Sequence, residues 1–159
     1  QNELENLKKR NTVENNIQAI KLLDRLNIEC YKGVIVQYDW DKSDFKNLVN
    51  HLLQFKNSFA NIQPLTPMYG TELYNKLESS ISSDREAYHL FDMAHLVSEP
   101  TNLSKRMFYF QILKSYIVLM IKQNSRKYVL ETYGKKVLKR VRKGVVKIAA
   151  QYVRLIFEN

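Results

Sequence analysis

Apolar positions recur along this chain mostly at helical spacing. Val13, Ile17, Ile20, Leu23 and Leu26 follow one another at intervals of four and three, lining one face of a helix that Thr12 can cap. Gly33 interrupts the pattern. Val34-Ile35-Val36 is the one β-branched run with strand character, and without a second strand signal to pair with it, it reads as a buried connector or helical turn. Ser43 or Asp44 then opens a second helix, with Phe45, Leu48, Val49, Leu52, Leu53 and Phe59 on one face, ending before Pro64. Thr66-Pro67 suits the start of a third helix carrying Tyr69, Leu73, Leu77 and Ile81. Ser83-Asp84-Arg85-Glu86 matches a capping box for a fourth, with Ala87, Leu90, Phe91, Ala94 and Val97.

From Thr101 or Asn102 to about Gln123 the chain is apolar nearly all round, which predicts a central helix with Leu113 and Ile117 buried. Asn124 or Ser125 opens a last, basic segment, bent at Gly134. The expected class is therefore all-α: one domain over 1–159, a bundle or orthogonal array of five to six helices around the apolar helix near 103–123. Residues 1–10 are polar apart from Leu4 and Leu7 and read as a frayed N-terminal extension.

Composition agrees with a folded globule: 45% of residues are hydrophobic and 26% charged, with four Gly and three Pro over 159 residues. The longest apolar run, Met107 to Ile121, would rise about 22 Å as a helix, short of a hydrocarbon core about 30 Å thick, so no transmembrane segment is expected. Cys30 stands alone, which excludes an intramolecular disulfide and leans towards an intracellular setting. The sequon Asn102-Leu103-Ser104 keeps a secreted chain in view.

Charge changes the picture more. Residues 1–99 carry 11 Lys and Arg against 14 Asp and Glu; residues 100–159 carry 14 Lys and Arg against only Glu131 and Glu158. On a helical wheel, Val137, Leu138, Val141, Val145, Ile148, Ala149, Tyr152 and Ile156 occupy about a third of the circumference. Lys136, Arg140, Lys143, Lys147 and Arg154 fall opposite them along about 27 Å, with Lys135, Lys139 and Arg142 at the flank. This pattern predicts a helix that buries its apolar side and turns a cationic rail outward. An acidic protein or peptide is the expected partner of that rail, with nucleic acid and an anionic membrane surface as alternatives.

Other chemistry is sparse. Asp39, Asp41 and Asp44 surround Trp40, but the glycine and distal glutamate of a calcium loop are missing; they read as a capping, exposed loop, with Trp40 as a docking alternative. Glu86-x-x-His89 has the spacing of di-iron bundles without the second copy such a site needs, Asp92-x-x-His95 is no better supplied, and His51 lies beside a buried stripe. Tyr109, Tyr116, Tyr128 and Tyr133 are the candidates for stacking on single-stranded nucleic acid and are better explained as core and boundary residues. No nucleophile elbow and no phosphate-cradling glycine loop occurs, and no cofactor or metal is implied. The resulting expectation is a non-enzymatic interaction module. Its alternatives are a nucleic-acid-binding domain using the same basic face, and a secreted helical ligand or effector acting at a receptor or membrane surface.

Overall fold

The computed structural model describes residues 11–55, 58–81, 87–123 and 125–158. Of these, 63% are helical, in five α-helices and two short 3₁₀ turns, and 11% are extended, nearly all in two strands that form a small parallel sheet, so the chain is mixed α/β. This corrects the all-α expectation.

The departure lies in the first half. Helix α1 (Val13–Arg25) is capped by the Thr12 hydroxyl, which accepts from the Asn15 amide at 3.1 Å. Strand β1 (Cys30–Val36) follows, then α2 (Lys42–Leu52) and β2 (Ser58–Pro64). The strands pair in parallel, Cys30 opposite Ser58 through Val36 opposite Pro64. Helix α2 is the crossover that parallel pairing requires. Val34-Ile35-Val36 is therefore strand, and Phe59 belongs to β2, not to the end of a long second helix.

Asp41 caps α2. Its carboxylate accepts from the Ser43 and Asp44 amides at 2.6 and 3.1 Å, and Asp44 returns the bond to the Asp41 amide at 2.9 Å, completing a capping box. The Ser43 hydroxyl at 2.7 Å, with those amides, holds the Asp41 carboxyl below its ordinary 3.8. A depressed folded pKa stabilises above the unfolded value and is lost as pH falls through the folded one. Acidification below 3.8 is thus expected to reduce exchange protection of the first α2 amides. Asp41→Asn, which still caps but cannot titrate, is expected to remove that pH step; an unchanged step would assign it to another carboxyl.

The middle of the chain is less helical than its pattern. Gly70 has φ +77, so helix α3 starts only at Thr71 and runs Glu72–Leu77, followed by a 3₁₀ turn at Glu78–Ser80. The expected fourth helix is a 3₁₀ turn at Tyr88–Leu90 and a loop. There Asp92 accepts from the amides of Ala94 and His95 at 2.9 and 3.0 Å, and Met93 takes φ 63. Those bonds compete with helical ones. Tyr74, Phe91 and Val97 form a small satellite core. The Ser83–Glu86 capping box, residues 1–10 and Asn124 lie outside the described residues.

Helix α4 (Lys105–Lys122), capped by Ser104, is central as expected. Phe108, Tyr109, Ile112 and Leu119 are buried, joining Val36 and Ile62 of the sheet and Phe45 and Leu52 of α2. The buried face differs from the expected one in one place: Leu113 packs at the edge of this core, whereas Ile117 is exposed. The Tyr116 hydroxyl accepts from the Ile62 amide at 2.7 Å and lies 3.0 Å from the Ile62 carbonyl. Both groups of one strand residue point to the same side, so this side chain stands where a third strand would pair with β2.

Helix α5 (Ser125–Glu158) is broken at Gly134, whose φ 78 and ψ 177 are not helical. Before the break, Val129 is buried and Tyr128 hydrogen-bonds Glu29 and packs near Phe59, tying this turn to the sheet. Beyond it the helix runs antiparallel to α4: Tyr152 lies 6.3 Å from Tyr109 and 6.1 Å from Tyr116, and Arg106 donates to the Ile156 carbonyl at 3.0 Å.

Candidate functional site

The cationic helix is built as two unlike stretches. At its C-terminal end Tyr152 and Leu155 are buried and Ile156 is packed against the core. In the turns before them the apolar stripe is only partly covered, with Val137, Leu138 and Ala149 half-buried. Val141 is 40% exposed, Val145 37%, Ile148 47% and, on the flank, Val146 67%. Only Gly144 breaks a run of exposed residues from Lys139 to Ile148. The expectation that the whole apolar side is buried therefore holds for the last turns and fails for the middle ones.

The cations are where the wheel puts them. Lys136, Lys139, Arg140, Lys143 and Lys147 are exposed, as are Lys135 and Arg142, and no acidic residue occurs between Glu131 and Glu158. None of these seven forms an ion pair among the described residues. Arg154 differs: its Nε lies 2.5 Å from Glu158 Oε1, which raises its pKa. An open groove follows α5 at helical spacing, with Lys135, Lys139, Arg142, Lys143 and Lys147 around Leu138 and Val146. Its lining comes from this one helix, so it is a surface strip and not a slot.

Trp40 stands apart from this strip. It is half-buried, edge-to-face with Phe45 at 5.4 Å, which makes it a rim residue of the core. Nearby, Asn102 donates its side-chain amide to the Asp39 carbonyl, and the Thr101 amide bonds the Tyr38 carbonyl at 2.9 Å. The acidic loop is thus tied to the segment before α4. Cys30 is half-buried in β1.

Two features had weak or no sequence signal. One is the exposed apolar stripe itself, because a wheel places residues on a face without saying whether anything covers it. The other is a pair formed by Asp92 and His95, with His95 Nδ1 2.9 Å from Asp92 Oδ1. Burial pushes the Asp92 carboxyl up, but the His95 ring and the amides of His95 and Ala94 outweigh it and hold it below its ordinary value. Such a carboxylate orients an imidazole, leaving the other ring nitrogen for exchange with solvent or a ligand. Among the described residues, no three His, Cys, Asp or Glu side chains are grouped to hold a metal ion, and no helix is long and apolar enough to cross a membrane.

No family model and no solved structure matches the chain. The chain is similar to a hopanoid C-3 methylase of Methylococcus capsulatus, 31% identical over 116 residues. The matched region covers 73% of this chain and 22% of that protein, so the chain spans under a quarter of the length of the curated relative it matches. This likeness runs to an enzyme and so corrects the expectation of no enzymatic relation; it does not bear on the expectation of an interaction module.

Proposed function

We propose that this chain is a segment of a methyltransferase-related enzyme, contributing part of a larger α/β fold at one end and an anion-binding helix at the other. The observation that carries the reading is the likeness to the hopanoid C-3 methylase across nearly three quarters of the chain. The architecture supports it. Parallel strands are normally covered on both faces. Here the outer face of β1 bears Tyr31, 71% exposed, and Ile35, 42% exposed. Helix α1 buries none of its residues although its apolar stripe is well formed. A parallel pair whose β1 strand leaves one face exposed, beside a barely docked helix, suits an element completed by further strands and helices.

The cationic face of α5 is the second half of the reading. Seven cations between Lys135 and Lys147, without an ion pair among the described residues, favour an anionic contact, whether an acidic protein or peptide, a nucleic acid or a charged surface.

The enzymatic reading is tested in cells with and without the protein that contains this chain, by mass spectrometry of their polycyclic lipids. The expected result is a methylated species that disappears on deletion and returns on complementation. Identical methylation profiles would remove the methyltransferase assignment.

A further inference from the structure

We infer that the middle of α5, Lys135 to Ile148, is a docking surface for an anionic lipid bilayer, along which the helix lies parallel to the membrane plane. This rests on the anion-binding half of the proposed function and not on the methyl-transfer half.

Charge alone does not choose among anions. The neighbouring side chains do. Val141, Val145 and Ile148 share one side of the helix and are 37% to 47% exposed, while Val146 on the flank is 67% exposed. Nucleic acid would neutralise the lysines and leave these apolar groups in water. An acidic peptide would need a second wall to hold it, and among the described residues only this helix lines the groove along α5. A bilayer interface satisfies both halves. Acyl chains take Val141, Val145 and Ile148, while Lys139, Arg142, Lys143 and Lys147 reach up to the headgroup phosphates, their stems lying along the apolar boundary. The stretch rises about 20 Å, suited to lying on a membrane and too short to cross one. The buried Tyr152 and Leu155 anchor the far end to α4, so the surface is presented on a rigid body.

The test is co-sedimentation of this chain with vesicles of phosphatidylcholine alone and with a quarter of phosphatidylglycerol, together with a heparin column run as a lipid-free polyanion. Two variants accompany it: K139Q/R142Q/K143Q/K147Q, and Val141→Ser with Val145→Ser and Ile148→Ser. All altered residues are exposed, so circular dichroism should match the parent protein. Binding is expected on the anionic vesicles, weakening with salt and falling by at least about tenfold in the glutamine variant. The serine variant is expected to keep its heparin retention and lose most vesicle binding. Vesicle binding undiminished in the serine variant, or equal on the two lipid compositions, would overturn the proposal. Heparin retention without vesicle binding would also overturn it while sparing the anion-binding reading. Failure on both supports would remove the two together.

Discussion

Phe108→Ala is expected to destabilise the protein by about 3–5 kcal/mol, the largest effect of any single substitution considered for this chain. Phe108 is wholly buried, and its ring meets Phe45 edge-to-face at 5.2 Å, while Trp40 also meets Phe45 edge-to-face at 5.4 Å. It therefore sits where α4 closes over α2 and the sheet. Alanine would leave a cavity bounded by elements that are fixed by their own hydrogen bonds and cannot collapse into it. The measurement is denaturant unfolding, with the slope compared as well as the midpoint so that a change in compactness is not mistaken for a change in stability. Ile117→Ala is the control from the same helix. That side chain is 43% exposed, so its loss should fall within about 0.5 kcal/mol. Equal losses at the two positions would mean that α4 is rotated from the face described.

The contrast between these two residues shows what a single sequence discloses. Helix α4 was legible because apolar residues fill almost its whole circumference, and for the same reason its buried face was not. Gly134 was legible as a break, since no other residue type so readily takes φ 78. The strand pair escaped detection. In β1, Tyr31, Gly33 and Ile35 alternate with Lys32, Val34 and Val36, but Ser58 to Pro64 carries only Phe59, Ala60 and Ile62 as apolar members and follows a helix of matching phase. Parallel pairing joins segments separated by a whole helix, so no local turn announces it. Residues 87–97 misled in the opposite sense: their apolar spacing is helical, but Asp92 claims two amides with its own carboxylate.

At the candidate site the positions of Lys136, Lys139, Arg140, Lys143 and Lys147 followed from 100° per residue, an intrinsic property of the helix. What covers Val141 and Ile148 depends on tertiary neighbours, and the periodicity that groups them is the same whether they meet a core, a lipid or water. The likeness to an enzyme was equally hidden, because no recognisable catalytic motif occurs in the 159 residues.

Tyr116→Phe tests how a two-stranded parallel sheet, marginal in isolation, persists here. The substitution keeps the ring, its packing on the core and its neighbour Tyr152 at 6.1 Å, and deletes one oxygen. That oxygen serves the Ile62 amide at 2.7 Å and the Ile62 carbonyl at 3.0 Å, with Asn61 Oδ1 at 3.3 Å. Burial raises the Tyr116 pKa, so at neutral pH the hydroxyl is protonated and can donate and accept at once. Removing it leaves a buried strand amide and its carbonyl without the partner that stands in for a third strand, at a cost of about 1–3 kcal/mol. Tyr109→Phe is the comparison: its hydroxyl accepts from the Leu96 amide at 2.7 Å, outside the sheet. Both variants should lose stability, but faster hydrogen exchange at Ile62 is expected from Tyr116→Phe alone. If exchange at Ile62 is unmoved while stability falls, the hydroxyl contributes through packing of α4 and not through the strand edge. If neither moves, water replaces the oxygen and β2 is held by Phe45, Phe108 and Ile112 without help from its edge.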